Sequence, residues 1–487
     1  MAPIVVTQPV QLSSVNDHTL EINSLPFSLQ VAPDDLTQRL PPECVAEAFL
    51  WARDGNPEGK KIIAVIDLTM VCKRWRSIAF QDSRLWSVID ITHISAVEAC
   101  LSHSTQVPLS LFFTSLSPSL VSLVSRVIHR TRSLVVKRSD QHRIIGTLQG
   151  FEAKHLKVLR IFSCVLNYNL FINGYPPLER LHLTGCEFFW STPFFPKTLV
   201  FLHISQPYRR ISIEDFLDIL RSMPSLSQLV LHNIFDDWTA DAEIFPLNLP
   251  SLSRVSAVEP RCALLVQLFK SWRPVAASDI FCQVYHLQHA RPLLRSIVQS
   301  LGEFPPHSLK VYLPYRQPLM ESYISLTTRG FQRRVKLSAD NGDIAGLLWG
   351  SFDILPLDNL HEFACAFVTT GMDSLWIGVI GSLPRLRSLI LGNAAALDFV
   401  QCLPLGHEQF PVLQVLELNI EGEYEQDIAE FEVDWGLVQE AFVDMELVEI
   451  CFTGDMWEIA DVDWVDLTDA GCSIVFKEST AFDDGHN

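Results

Sequence analysis

Charge is scarce in this 487-residue chain: Asp, Glu, Lys and Arg make up 19% of it, against roughly 25% in an average globular protein. With 48% of residues hydrophobic, the composition excludes a disordered chain, since enough apolar surface exists to offset the entropy of ordering. Gly 21 and Pro 28 show no collagen-like enrichment. No uninterrupted apolar run approaches the roughly 20 residues that a membrane span needs. The richest, Leu375 to Leu383, is short and follows Asp373. Met1-Ala2-Pro3-Ile4 lacks the basic start and long apolar core of a secretory signal. No C-x-x-C occurs among the eleven cysteines, an odd number dispersed from Cys44 to Cys472. That excludes a paired disulfide scaffold and close-spaced zinc ligands, and it points to an intracellular compartment, cytoplasm or nucleus. The cysteines are then expected to act as small buried apolar groups.

Catalytic signatures are missing as well. The sequence has no G-x-S-x-G elbow, no phosphate-cradling glycine-rich loop ending in Lys-Ser/Thr, and no H-E-x-x-H helix. The expectation is therefore a non-catalytic chain with no catalytic residue, no cofactor and no metal site. Positive charge is not in excess over the chain as a whole, although a local, mildly basic patch on the early repeat strands is compatible with that balance. The net charge of −19 arises in residues 421–487, which hold 20 acids and one base, Lys477, while residues 1–420 balance 36 acids with 36 bases. A body without a positive field is not expected to bind nucleic acid or a membrane surface.

What is present begins at Leu40. Residues 1–35 show no helical period and read as a polar extension. Leu40-Pro41-Pro42-Glu43 then puts proline at a helix start and an acid in its first turn. Val45, Ala48, Phe49 and Ala52 follow at helical spacing, and Arg53–Gly59 breaks the helix. A second stretch from about Lys60 places Leu68, Val71, Cys72, Trp75, Ile78 and Ala79 on one face, with Lys73, Arg74 and Arg76 opposite. Leu85-Trp86 closes the segment. About 50 residues of short amphipathic helix bury too little surface to stand alone, so part of this apolar surface must pack on the rest of the chain or on a partner.

Leu40-Pro41-Pro42-Glu43, Phe49-Leu50, Val71-Cys72-Lys73-Arg74-Trp75-Arg76 and Leu85-Trp86, in that order over residues 36–90, resemble the F-box, and more closely the F-box-like motif at the N-terminus of many fungal proteins. The chain departs from that pattern at Cys44 and Ala48 and in a polar insert around Gly55–Lys61. The resemblance implies docking onto a Skp-type adaptor, and through it a cullin, in a ubiquitin ligase. It assigns that contact to Leu40, Pro41, Pro42, Phe49, Leu68, Val71, Cys72, Trp75, Leu85 and Trp86.

The body is repetitive. Leu156-x-x-Leu159-x-Ile161-x-x-Cys164-x-Leu166 recurs 22 residues later as Leu178-x-x-Leu181-x-Leu183-x-x-Cys186-x-Phe188. Further starts fit at Leu199, Leu226, Leu252, Leu386 and Leu413. This step is that of leucine-rich repeats, each a short strand and a return segment that need a stacked neighbour to complete a core. The expected fold class is α/β: a short N-terminal helical domain, then an irregular leucine-rich-repeat-type solenoid with an acidic C-terminal cap. Its parts are residues 1–35 (extension), 36–90 (helical domain), 91–154 (transition and first irregular repeats), 155–420 (solenoid, continuing through the region where the phrase decays) and 421–487 (acidic cap).

Strand alternation aims the residues beside the second apolar position at the concave sheet. Among them Arg160, Arg180, His182, Phe201, His203 and Arg254 are candidate target contacts, with Glu417 and Glu449 farther along. The combined expectation is a substrate-recruiting subunit whose repeats hold an unknown target protein. The alternative is a protein-binding scaffold outside ubiquitin ligation, its N-terminal helices folded back to cap the solenoid.

Overall fold

The computed structural model describes residues 39–90, 94–113, 118–137, 153–166, 176–191, 194–236, 247–259, 262–272, 279–284, 290–299, 306–312, 322–328, 331–337, 354–355, 357–366, 376–392, 394–410, 412–420, 435–445, 447–454 and 465–477. The polar extension at residues 1–35 lies outside these. The described chain opens with α1 (Pro42–Asp54), α2 (Lys61–Val71) and α3 (Lys73–Gln81). Proline occupies the first turn of α1, where its missing N–H costs nothing.

Two details of these helices differ from expectation. In α1 the buried residues are Val45, Ala46, Phe49 and Arg53, while Ala48 and Ala52 face outward. The Arg53 guanidinium fixes this rotation, donating to the carbonyls of Arg84 at 2.6 Å and Leu85 at 3.5 Å. The periodic run Leu68–Ala79 is two helices and not one. Cys72 is extended (φ −156°, ψ 168°), ending α2 and capping α3, where its Sγ accepts the backbone N–H of Trp75 at 3.4 Å. Arg76 closes the corner by donating to the carbonyl of Thr69 at 2.9 Å.

Then come β1 (Val88–Ile89), α4 (Ile94–His103), β2 (Leu109–Phe113), α5 (Pro118–Val127), β3 (Thr131–Lys137), β4 (Val158–Phe162), β5 (Arg180–Thr184), β6 (Phe201–Ser205), α6 (Ile213–Arg221), β7 (Gln228–His232), β8 (Arg254–Glu259), α7 (Cys262–Ser271) and β9 (Asp279–Val284). Strands β1 to β9 pair in chain order as one parallel sheet with interleaved helices, consistent with a leucine-rich-repeat-like fold. Their register stacks Ile89, Leu111, Leu134, Leu159, Leu181, Leu202, Leu229, Val255 and Ile280 in one row, all buried. Each such side chain contributes about 1.5–3 kcal/mol when fully removed from water, and only the neighbouring strand can remove it.

The turn after each strand repeats too. Ser163 (φ 54°), Gly185 (φ 57°), Gln206 (φ 47°) and Asn233 (φ 52°) each follow a strand in the left-handed region. Their N–H groups donate at 2.8 Å to the carbonyls of Thr184, Ser205, His232 and Val258, the last or next-to-last residue of the following strand. Cys164 and Cys186 point inward just beyond and are buried, as the repeat register requires.

After β9 the simple stacking stops. Following α8 (Ala290–Gln299), the next strand in sequence is β10 (Ser308–Tyr312), but β9 pairs instead with β12 (Phe331–Leu337). Between β12 and β10 stands β11 (Ser322–Thr328), antiparallel to both. The continuous solenoid expected here is thus interrupted by a meander. Only Arg329 and Gly330 separate β11 from β12, the length of a tight hairpin and too short for a parallel crossover. Beyond β10, parallel pairing resumes through β13 (Glu362–Ala366), β14 (Ser388–Gly392), α9 (Ala394–Gly406), β15 (Val415–Ile420), α10 (Trp435–Asp444), β16 (Glu449–Gly454), α11 (Val465–Asp469) and β17 (Ser473–Lys477). The acidic segment therefore supplies the last two strands, and its Val438, Phe442 and Met445 are buried in the common apolar core. One apolar cluster runs from Val45 to Cys472.

Gly185→Val tests the turn ladder. A branched residue at φ 57° should cost about 1–2 kcal/mol, read as a lowered urea midpoint, whereas Gly378→Ala has open space at its β-carbon and should tolerate the added methyl.

Candidate functional site

Two surfaces stand out, and the first is on the N-terminal helices. Ile62, Val65 and Thr69 of α2 are buried, and they anchor it to the chain. A second set, Ile63, Ile66 and Met70, follows the same i, i+3, i+7 spacing one residue along, and Val71 extends it. These four are 38–46% exposed; elsewhere in the N-terminal segment, Leu40 just before α1 and Trp51 within it are 47% and 80% exposed. A helix apolar on more than one side is ordinarily buried on more than one side. Here the second side has no cover among the described residues.

The anchoring side is strongly built. Phe49, Ile78, Leu85 and Trp86 are buried and continuous with the repeat core. Trp86 stacks on Phe80 with ring centroids 5.3 Å apart and donates its Nε1–H to the carbonyl of Ala79 at 2.7 Å. Asp90, just after β1, reaches into the N-terminus of α2 and accepts the backbone N–H groups of Lys61 at 2.6 Å and Ile62 at 3.2 Å. It caps from the sheet a helix whose own N-cap residue, Lys60, makes no side-chain cap bond.

Of the residues assigned to adaptor contact, Leu40, Pro41, Pro42 and Val71 are exposed, and Leu68, Cys72 and Trp75 are half-buried. Phe49, Leu85 and Trp86 lie inside the chain's own core. Sequence reasoning missed Ile63, Ile66 and Met70, although the signal was present: Lys61-Ile-Ile-Ala-Val-Ile-Asp-Leu-Thr-Met-Val71 carries only two charges and is apolar all round.

The second surface is the open face of the sheet, opposite the leucine row. Register puts Phe112, Val135, Arg160, His182, His203, Val230, Ser256 and Phe281 in its central row, of which Phe112 and Val135 are buried and the others half-buried. Arg180, Phe201 and Arg254 stand in the row beside it. All six expected target contacts thus share one face. His182 and His203 stack with centroids 3.8 Å apart and planes 19° apart. Half-burial, then the neighbouring imidazole and Arg160, lowers His182 to a pKa of about 4. Half-burial and then His232 lower His203 to about 4 as well. Both imidazoles are neutral near pH 7, so the positive charge of this face is carried by Lys137, Arg160, Arg180 and Arg254. Lys137 Nζ lies over the rings of Phe112 and Phe162 at 5.1 and 5.4 Å.

No family model matches the chain, and no curated protein matches its sequence.

Other features offer little chemistry. A cleft of about 600 Å³ between α1 and the first strands is lined by Glu47, Trp51, Arg53, Asp54, Arg84 and Arg132 among others. Arg53 pairs with Asp54 at 2.9 Å, and Arg84 pairs with Glu47 at 2.6 Å and Asp82 at 2.7 Å, so most of its charges already have partners. Burial pushes the Cys186 thiol up to about 12, which keeps it protonated and unreactive. Among the described residues no three metal-ligating side chains come together, and no helix is long and apolar enough to cross a membrane.

Two outcomes are expected. Asp90→Ala leaves the part-buried N–H of Lys61 and the buried N–H of Ile62 without their acceptor and should cost about 1–3 kcal/mol in a urea titration. For the histidines the folded pKa lies below the unfolded one, so the unfolded chain binds more protons between about pH 6.5 and pH 4. The stability they contribute is full above pH 6.5 and is lost as pH falls to 4. A His182→Asn/His203→Asn variant should therefore show a shallower fall in melting temperature over that window than the parent.

Proposed function

We propose that the chain is a non-catalytic adaptor subunit of a Skp–cullin–F-box ubiquitin ligase, intracellular, with α2 docking a Skp-type adaptor and the open sheet face holding a target protein. The observation that carries this reading is the uncovered apolar side of α2, Ile63, Ile66, Met70 and Val71, on a helix already anchored through its other side. Leu40, Pro41 and Pro42 border the same helical module, in the order that the resemblance to F-box-like segments requires. In such a subunit no bond is made or broken by the chain itself. It raises the effective concentration of target beside the catalytic partner.

A second reading has its own support. Phe49, Leu85, Trp86 and Asp90 fasten the helices over the first repeat strands, which is what a capping role in a scaffold protein would demand. The two readings differ in whether α2 also has an external partner.

Co-purification of residues 1–487 with a Skp-type adaptor separates them. Capture by the parent chain, reduced at least about tenfold in an Ile66→Asp/Met70→Asp variant with unchanged circular dichroism, supports the ligase subunit. A well-folded parent that captures no adaptor leaves the scaffold.

A further inference from the structure

The loop between α1 and α2 does not stay with its helices. Gly59, at φ 93°, lies against the open face of β2, where an added β-carbon would come within 3.6 Å of the Phe112 ring. One residue earlier, Glu58 places Oε1 2.9 Å from Nη1 of Arg160 in the central row of β4. Neither partner is buried: the side chains are 39% and 40% exposed.

The surroundings explain why a carboxylate settles there. From Ser133 to Val258, the outward positions of β3–β8 carry Lys137, Arg160, Arg180 and Arg254 and not one Asp or Glu. The carboxylates that reach these bases come from elsewhere: Glu58 onto Arg160 and, on β9, Asp279 onto Arg254 at 3.7 Å. The outward positions of β13–β16 have the opposite sign, with Glu362, Glu417 and Glu449.

We propose that the open face of β3–β8 is a binding surface for an extended acidic segment of a partner protein, and that Glu58 is its built-in competitor, holding Arg160 until a partner carboxylate displaces it. This rests on the reading of the sheet as the target-holding surface, and it does not depend on capture of an adaptor by α2. The chosen occupant follows from charge: the outward positions of β3–β8 hold four bases and no acid, Arg254 is already met by Asp279 of β9 on the same face, and the bases toward β3 are left to select carboxylates, a contact that the chain itself demonstrates at Arg160. A basic segment is unsuited to this half of the sheet. The net charge of −19 supplies no long-range attraction for an acidic ligand, so binding here has to come from the local bases.

The test is fluorescence anisotropy of a fluorescein-labelled hexaglutamate peptide with the full-length chain at low salt. Glu58→Gln should bind the peptide about two- to five-fold more tightly than the parent, the weight of one exposed ion pair. Arg160→Glu should weaken binding about tenfold or more, and Lys270→Glu, on α7, should leave it unchanged. Equal affinity of the parent and Glu58→Gln would overturn the competitor role. Equal weakening by Arg160→Glu and Lys270→Glu, or no binding by either the parent or Glu58→Gln, would overturn the surface. Adaptor capture is measured separately on the same variants, so a chain that captures adaptor and ignores the peptide fails this inference alone.

Discussion

A strand of this sheet cannot bury its own leucines. Leu181 and Leu183 are removed from water by the strands on either side and by the segments that return beneath them, and strands β2 to β9 all have such a neighbour on each side. Such an arrangement is stable in its middle and exposed at its ends. The first strand, β1, has only two residues, and what completes the core beside it is helical: Ile62 and Val65 of α2, Ile78 and Ala79 of α3, then Leu85 and Trp86. Whatever else the N-terminal helices do, they close this end of the stack. That obligation divides α2 into a side fixed by the chain and a side left over, and only the side left over is open to a partner.

The same division explains which features could be read from the sequence. Repeats were legible because six positions recur at a 22-residue step, and the leucines of that pattern are the buried row observed. The open face was legible for the same reason, since alternation places His182 and His203 opposite the leucines without reference to anything distant. The split at Cys72 was not, because α2 and α3 are joined by one extended residue and the apolar spacing runs through the break as if nothing happened. Nor was the inward face of α1, which depends on Arg53 finding carbonyls of Arg84 and Leu85 about 30 residues later. The meander of β10–β12 was missed because the repeat phrase carries information only about strands that follow it.

Charge is arranged by half along the open face. The bases of β3–β8 and the acids of β13–β16 lie on one sheet, separated by the meander. Because the stacked imidazoles of His182 and His203 are neutral near pH 7, they present flat, uncharged ring surface beside Arg160 in place of charge. The early half therefore offers cations spaced among rings, a surface suited to a chain that carries carboxylates and apolar groups together.

The joints between the helices and the sheet differ in strength, and the difference is physically meaningful. Asp90 on the N-terminus of α2 and Arg53 on the carbonyls of Arg84 and Leu85 are buried, so breaking either would leave polar groups without water or partner. Glu58 and Arg160 are each about two-fifths exposed, and an ion pair in contact with solvent contributes only about 0.2–1 kcal/mol. The buried joints set where the helices sit, and releasing Glu58 would not move them. What its release changes is the face of the sheet: an arginine in the central row passes from an internal carboxylate to water or to a ligand. A weak contact placed over strongly held elements can be exchanged at small cost to the fold, and that is the property a competitor in the same chain requires.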